Sequence, residues 1–401
     1  MSSSEITLDF TSVGPDAGGV GIVAAGTAQG LYDLGVRFSC VVNESQFSPW
    51  AQHLPMLKER IVPVKVALSA TSFWQSFLRR HIPRRMLSAT LLGKVRSARA
   101  LSTARTVDQG QGVVWLPFHR SPLTSDKGVV TVHDLRVFEN GLASPADQKI
   151  IEENVRKAAA VVCSWVHPYQ SLLERFPFAR EKTFLIPLPV LNPGTARVRQ
   201  QPNFGHVRLL TPGFITPHKN QEVIVRALAH LPNAIAVFTG AEDGRYGDEL
   251  RALASELEVS AQIEWRGYIG TSELEDEYSK ADLLVMPTRW EAASGPVFEA
   301  IARQLPFVAS DIAPIRSQLA AIPLEAELFD CDSPDALVSA IKAAVRNYNA
   351  SVTRLAMVSG PIVNRTWTNL AADYKRVFDF AAGTGPRPSD LMIGVSDDPS
   401  F

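Results

Sequence analysis

The apolar run Ala281-Asp282-Leu283-Leu284-Val285-Met286 stops at Pro287, and Ser294-Gly295-Pro296 follows as a helix-start signal. A run this short and this closely bounded reads as a buried parallel strand. Ser294 is a cap-type residue, and Pro296 sits where a missing N–H costs nothing. Strand, loop and helix in this order restrict the chain to an open α/β sheet. The positive end of such a helix, with its unpaired N–H groups, points at the crevice outside the strand's carboxyl end and makes an anion site there. Glu291 lies in the loop and Glu299 about one turn inside the helix. Carboxylates beside a phosphate repel it, so the pair fits a ligand that also carries hydroxyl donors, such as a sugar on one side and a ribose on the other. An ordinary helix start with one dipole-stabilising glutamate is the second reading of these residues.

The same alternation runs along the chain. Ile6 to Thr11 reads as a first strand, followed by the glycine-rich turn Val13 to Gly21 and a helical pattern through Leu34. Gly18-Gly19 in that turn admits a ligand close to backbone, although its spacing matches neither a dinucleotide fingerprint nor a Walker loop, and a tight turn without ligand reads the same way. Further strands are predicted at Val36 to Val42, Ile61 to Leu68, Val113 to Pro117, Val129 to Val132, Ala160 to Ser164 and Thr183 to Ile186. His133 ends the run at Val132; it faces the crevice, or serves as a structural imidazole tied to Asp134 or a carbonyl. Pro187 to Phe204, with prolines at 187, 189, 193 and 202, reads as an interdomain linker. A second series follows, with strands at Val207, Ala234, Gln262, Leu283, Phe307 and Glu327 and an amphipathic helix from Pro334 to Asn347 capped by Ser333. The fold class expected is α/β, with two doubly wound Rossmann-like domains facing a central cleft. The domains are expected at 1–188 and 206–364, joined by a linker at 189–205. A last helix at 365–382 returns to the N-terminal domain, and 383–401 forms a disordered tail.

Among 401 residues, no stretch reaches the roughly 20 apolar residues of a membrane span. Met1 to Phe10 lacks the features of a signal peptide, which predicts a cytoplasmic location. Cys40, Cys163 and Cys331 lie far apart beside apolar runs, as buried reduced thiols do. Charge is unevenly spread. No acidic residue occurs between Glu59 and Asp108, whereas ten of the 40 Lys and Arg fall there, leaving 30 against 41 acidic residues elsewhere. Within it, Ser72 to Arg105 mixes Phe73, Trp74 and Phe77 with Arg79, Arg80, Arg84 and Arg85, which suits an anionic membrane surface; a helical hairpin packed on its own domain is the alternative. No nucleic-acid-binding module surrounds the segment, so nucleic acid is not an expected partner.

Taken in order, Gly18-Gly19, Val132-His133-Asp134-Leu135, Ala159 to Ser164, Gly213 through Lys219-Asn220, Arg266-Gly267-Tyr268, Ala281-Asp282, and Pro287 with Glu291 and Glu299 resemble the GT-B glycosyltransferases, specifically retaining glycosyltransferase family 4. The resemblance implies that Glu299 holds ribose hydroxyls and that Glu291 contacts the transferred sugar. Lys219 and the amides around Ser294 and Gly295 would neutralise the diphosphate. His133 would touch the sugar, and Gly18-Gly19 would approach the donor phosphates. No cofactor or metal is implied, and Asp330-Cys331-Asp332 reads as a loop before a capped helix rather than a Mg²⁺ site. Two departures bear on activity: Phe214 stands where the family commonly has arginine, and Ala292-Ala293-Ser294 replaces Gly-Phe-Gly. The function expected is transfer of a sugar, with mannose from GDP-mannose as first choice, from a nucleotide-diphosphate donor to a glycan or lipid-linked acceptor. The alternatives are a nucleotide-sugar epimerase on the same fold and a non-catalytic nucleotide-sugar-binding subunit.

Overall fold

The computed structural model describes residues 6–64, 112–139, 145–203, 206–242, 244–322 and 324–392. The basic segment Ser72 to Arg105 lies outside them. Two compact units divide the chain, one of Met1–Leu188 with Thr366–Phe401 and the other of Pro189–Arg365.

The first unit holds β1 (Ile6–Asp9), α1 (Gly18–Asp33), β2 (Phe38–Asn43), α2 (Phe47–His53), β3 (Ile61–Val64), β4 (Val113–Leu116), β5 (Gly128–Val132), α3 (Arg136–Glu139), α4 (Pro145–Lys157), β6 (Ala160–Cys163), α5 (Val166–Arg175) and β7 (Thr183–Leu185). Among the described residues its seven strands are parallel in the order β3-β2-β1-β4-β5-β6-β7. Every residue of β4, β5 and β6 is buried, which explains why they read as unbroken apolar runs. β3 is an edge strand, and it carries a proline, Pro63, that a central strand could not accommodate. The order reverses between β1 and β4, so the loops after these strands and after β5 open at the sheet's carboxyl edge.

Asn154 of α4 organises that edge. Its amide donates to the carbonyls of His119 (2.9 Å) and Ser121 (2.6 Å) and accepts from the Leu123 amide (2.8 Å). The loop it holds buries the His119 ring completely, and neither ring nitrogen has a hydrogen-bond partner among the described residues. Burial pushes this imidazole down to about 3, against the pull of Asp134.

The second unit holds β8 (Val207–Pro212), α6 (Gln221–Leu228), β9 (Ala234–Thr239), α7 (Gly244–Glu256), β10 (Ile263–Gly267), α8 (Thr271–Lys280), β11 (Leu283–Met286), α9 (Gly295–Ala302), β12 (Phe307–Ser310), α10 (Ala313–Ala320), β13 (Glu327–Phe329), α11 (Pro334–Arg346) and α12 (Tyr348–Asn364). Its six strands are parallel in the order β10-β9-β8-β11-β12-β13, with the reversal between β8 and β11. Ser333 caps α11 by accepting from the Ala336 amide at 3.1 Å. The stretch expected to be a linker is tied to this unit. The Arg199 guanidinium donates to the carbonyls of Ala281, Arg303 and Tyr278, the Gln201 amide to Val345, and Arg303 to Asn192. Its prolines suppress regular structure, while Arg199 fills carbonyls left open at the ends of α8 and α9.

The first unit is completed by α13 (Trp367–Ala382). Thr366 and Asn369 form a reciprocal capping box at its start, and Gly383, with φ of 74°, ends it. α13 lies against α1, where Gly26 and Gly30 leave room for Trp367: a Cβ on Gly30 would stand 2.3 Å from the Trp367 carbonyl oxygen. Tyr374 reaches through to Thr131 Oγ1 of β5 at 2.9 Å, and Thr131 also accepts from Trp115 Nε1. The expected disordered tail is corrected for 383–392. Arg376 pairs with Asp390 and Arg387 with Glu181, and Leu391 and Met392 pack against the first unit's core. These contacts outweigh a composition rich in Gly, Pro and Ser; the residues after Met392 lie outside the description. Among the described residues no helix is long and apolar enough to cross a membrane, and the three cysteines are free thiols.

Two outcomes test this packing. Gly30→Ala should lower the unfolding free energy by about 1–3 kcal/mol, because backbone rather than a movable side chain blocks the new methyl. Gly19→Ala, in the same helix with open space around it, should be neutral or slightly stabilising. Equal urea midpoints for both variants would contradict the contact between α1 and α13. His119 predicts an acid limb in stability. The unfolded ring takes up a proton near pH 6.5 while the folded ring resists down to about 3, so stability is complete above that range and falls as pH drops through it. The loss from this group is about 1.4 kcal/mol per pH unit at most. His119→Leu should flatten the fall relative to the parent chain in urea melts between pH 7.5 and 5.

Candidate functional site

In the second unit the residues singled out from the sequence gather at the carboxyl edge around the strand reversal. β8 leads into Gly213, whose φ of 124° is open only to glycine, and then into a turn that ends at Asn220 in the left-handed region. The loop after β11 is laced to that turn. Asn220 Nδ2 donates to the Pro287 carbonyl (3.0 Å) and the Cys331 carbonyl (2.7 Å), while the His218 carbonyl accepts from the Arg289 amide and the Thr288 hydroxyl. This lacing brings the Lys219 ammonium onto the Glu291 carboxylate in a direct ion pair, with side chains only 19% and 13% exposed. The two residues expected to meet diphosphate and sugar separately are thus each other's partners.

Ser294 caps α9 by accepting from the Val297 amide. Its own backbone amide is taken: Ser294 N donates to Gln318 Oε1 at 2.8 Å, and Gln318 Nε2 returns to the Ser294 carbonyl at 2.9 Å. The expectation of an open Ser294 amide is corrected accordingly, because Gln318 of α10 fixes the helix entry. The Gly295 amide has no hydrogen-bond partner among the described residues, and open space lies where its side chain would be. Glu299, one turn further, is partly buried and accepts from the Tyr278 hydroxyl at 2.7 Å. Burial pushes its carboxyl above the usual range, with the Tyr278 hydrogen bond opposing. Asp330 and Asp332 belong to a turn in which Asp330 accepts from the Asp332 amide and Asp332 pairs with Arg289. Together with Cys331 they place three ligand atoms within 4.8 Å of one another, an exposed group of the kind that is common without an ion.

In the first unit, Gly18 (φ 60°) and Gly19 are exposed at the start of α1 with nothing within 4 Å of where a Cβ would be. His133 is committed to its own unit. Its Nε2 lies 2.9 Å from the Pro117 carbonyl, which only accepts, so Nε2 carries the proton and Nδ1 faces the Ser164 hydroxyl at 3.2 Å. Burial lowers its affinity for a second proton. Of the two readings of His133, the ring tied to a carbonyl is the one observed.

Sequence reasoning passed over Tyr278 and Arg303. Tyr278 and Arg303 are 0% and 1% exposed beneath Glu299, yet a tyrosine and an arginine near helix ends ordinarily read as surface residues. Tyr268 follows β10 at 84% exposure, and Phe214 follows β8 at 57%, flanking Gly240 at the end of β9. Gly240 is required there, since a Cβ would meet the Gly213 carbonyl oxygen at 2.3 Å.

Residues 196–356 match the family described as Glycosyl transferases group 1. A search of curated proteins finds no match. Among solved structures, the chain is similar to HepE (Alr3699) of Anabaena, determined in complex with UDP and glucose, at a TM-score of 0.65 and 15% identity over 93% of this chain and 98% of that one. It is also similar to sucrose-phosphate synthase from Thermosynechococcus elongatus, at a TM-score of 0.67 and 17% identity over 94% and 98%. A third is WaaG, a glycosyltransferase involved in lipopolysaccharide biosynthesis, at 0.61 and 13% over 94% and 100%. Identities this low speak to architecture alone. With two parallel Rossmann-like units and these neighbours, the chain has the GT-B fold, and its residues 196–356 are similar to the group 1 glycosyl transferases.

Proposed function

We propose that the chain transfers a sugar from a nucleoside diphosphate donor to a hydroxyl acceptor, with retention at the anomeric carbon and without a metal ion. The observation that carries this reading is the Lys219–Glu291 pair beside the amino end of α9. A bound diphosphate competes with Glu291 for the ammonium. Once released, the carboxylate accepts from hydroxyls of the sugar, and Glu299 accepts from the ribose. When the bond between the anomeric carbon and the phosphate oxygen breaks, the electron pair stays on phosphate. Lys219 and the Gly295 amide then meet the growing charge at no cost in reorganisation.

The mannose of GDP-mannose is the first choice for the sugar, and UDP-glucose the main rival, in view of the UDP and glucose bound by the Anabaena protein. A glycan or lipid-linked acceptor completes the reading. Its lipid-linked form, with peripheral attachment to the inner membrane face, rests on the aromatic and basic sequence from Ser72 to Arg105. A second reading, a nucleotide-sugar-binding subunit without turnover, is favoured by Phe214 in place of a phosphate-binding arginine.

A thermal-shift screen against UDP-glucose, GDP-mannose and other nucleotide sugars, followed by transfer assays with membrane extract as acceptor, tests both. A raised Tm with turnover is expected, and Lys219→Ala should cut kcat by about 10²–10³. Stabilisation without turnover on any donor favours the second reading. No shift with any nucleotide sugar removes both.

A further inference from the structure

Beneath the proposed donor site lies a buried assembly that the transfer chemistry itself leaves unused. The Tyr278 ring, on α8, is fully enclosed, and its hydroxyl lies 2.7 Å from Glu299 Oε2. The Arg303 guanidinium sits over that ring at 4.2 Å. Arg303 is in turn held by Glu275 and by the carbonyls of Asn192 and Glu299, and the linker's Gly194 packs so closely that a Cβ would meet the guanidinium at 2.3 Å. Neither ring nor guanidinium has room to shift. A neutral phenol has one proton to give, and here it goes to Glu299. Glu299 keeps intermediate exposure, and the hydrogen bond from Tyr278 occupies Oε2 and not Oε1.

We infer that Tyr278 is a positioning residue for recognition of the donor's ribose: by holding one oxygen of Glu299, it fixes the carboxylate and leaves the other oxygen to accept from a ribose hydroxyl. The inference rests on the donor reading given above. A free glutamate must lose side-chain rotamers to make such a contact, whereas one already held loses few, so the hydroxyl of Tyr278 strengthens a bond it does not touch. Ionised, Glu299 is a charge-assisted acceptor at both oxygens; protonated, it is a weaker one and carries a competing O–H donor. Burial raises its carboxyl and the Tyr278 hydrogen bond lowers it, so removing that hydrogen bond moves the loss of ribose recognition to higher pH.

The test is calorimetric titration of the full chain with UDP and GDP and with their 2′-deoxy and 3′-deoxy counterparts, for the parent protein, Tyr278→Phe and Glu299→Gln. The parent should prefer at least one ribonucleotide over a deoxy counterpart by about tenfold, the scale of a hydrogen bond to a charged group. Tyr278→Phe should bring that preference to within about twofold, and the acid limb of its ribonucleotide affinity should shift to higher pH. Equal weakening for ribo and deoxy ligands, or an unchanged preference and acid limb, would overturn the inference and leave the donor reading standing. Binding of neither UDP nor GDP by the parent overturns the donor reading, and this inference with it. Glu299→Gln guards against a folding defect in the tyrosine variant, since it keeps an acceptor for Tyr278 but loses the charge. An unchanged ribose preference in that variant also overturns the inference.

Discussion

The carboxamide of Asn220 is the interaction on which the second unit's site depends. Its backbone sits at φ 58°, a region costly for most side chains but accessible to glycine and asparagine. Glycine would satisfy the turn and nothing more. Asparagine also sends two donors from one nitrogen to the loops after β11 and β13, joining three connections that are far apart in sequence. Lys219 precedes it and inherits that rigidity. The ammonium therefore reaches Glu291 from a preorganised turn instead of from a flexible arm.

Charges held in such a setting are poor sources of stability. A largely buried ion pair gives up most of its attraction to desolvation, and a well-packed apolar pair of similar volume commonly does better. Lys219 with Glu291, and Arg303 with Glu275, are both of this kind. Their presence fits an edge that must exchange partners with a charged ligand. Glu299 belongs to the same group, since burial raises its carboxyl while a hydroxyl and a nearby guanidinium hold it down. On the opposite side of the ledger stand strands such as β5 and β11, wholly buried and wholly apolar apart from Thr131.

Those strands were legible because burial on both faces writes itself as a short apolar run; Leu283 to Met286 and Ala160 to Cys163 are the clearest cases. The start of α11 was equally plain, with Ser333 and Pro334 in their usual places. Other features left no local trace. α12 carries Gly360 and Pro361 near its end, which reads as a break although the helix continues to Asn364. The spacing around Gly295 and Glu299 marked an anion site, but nothing local said that Gln318 would claim the Ser294 amide or that Pro117 would claim His133, because both partners come from distant turns. Arg199 lies in the proline-rich stretch read as a linker, and only the carbonyls it meets at two helix ends explain it.

The first unit is discontinuous, and this bears on the order in which the polypeptide matures. Residues 189–365 form one uninterrupted segment, so on a ribosome that lobe has everything it needs before translation finishes. The amino-terminal lobe, although made first, waits. The groove along Gly26 and Gly30 and the hydroxyl of Thr131 stay unfilled until Trp367 and Tyr374 emerge. The lobe that precedes residues 189–365 in the chain is therefore completed after them, by a helix made later.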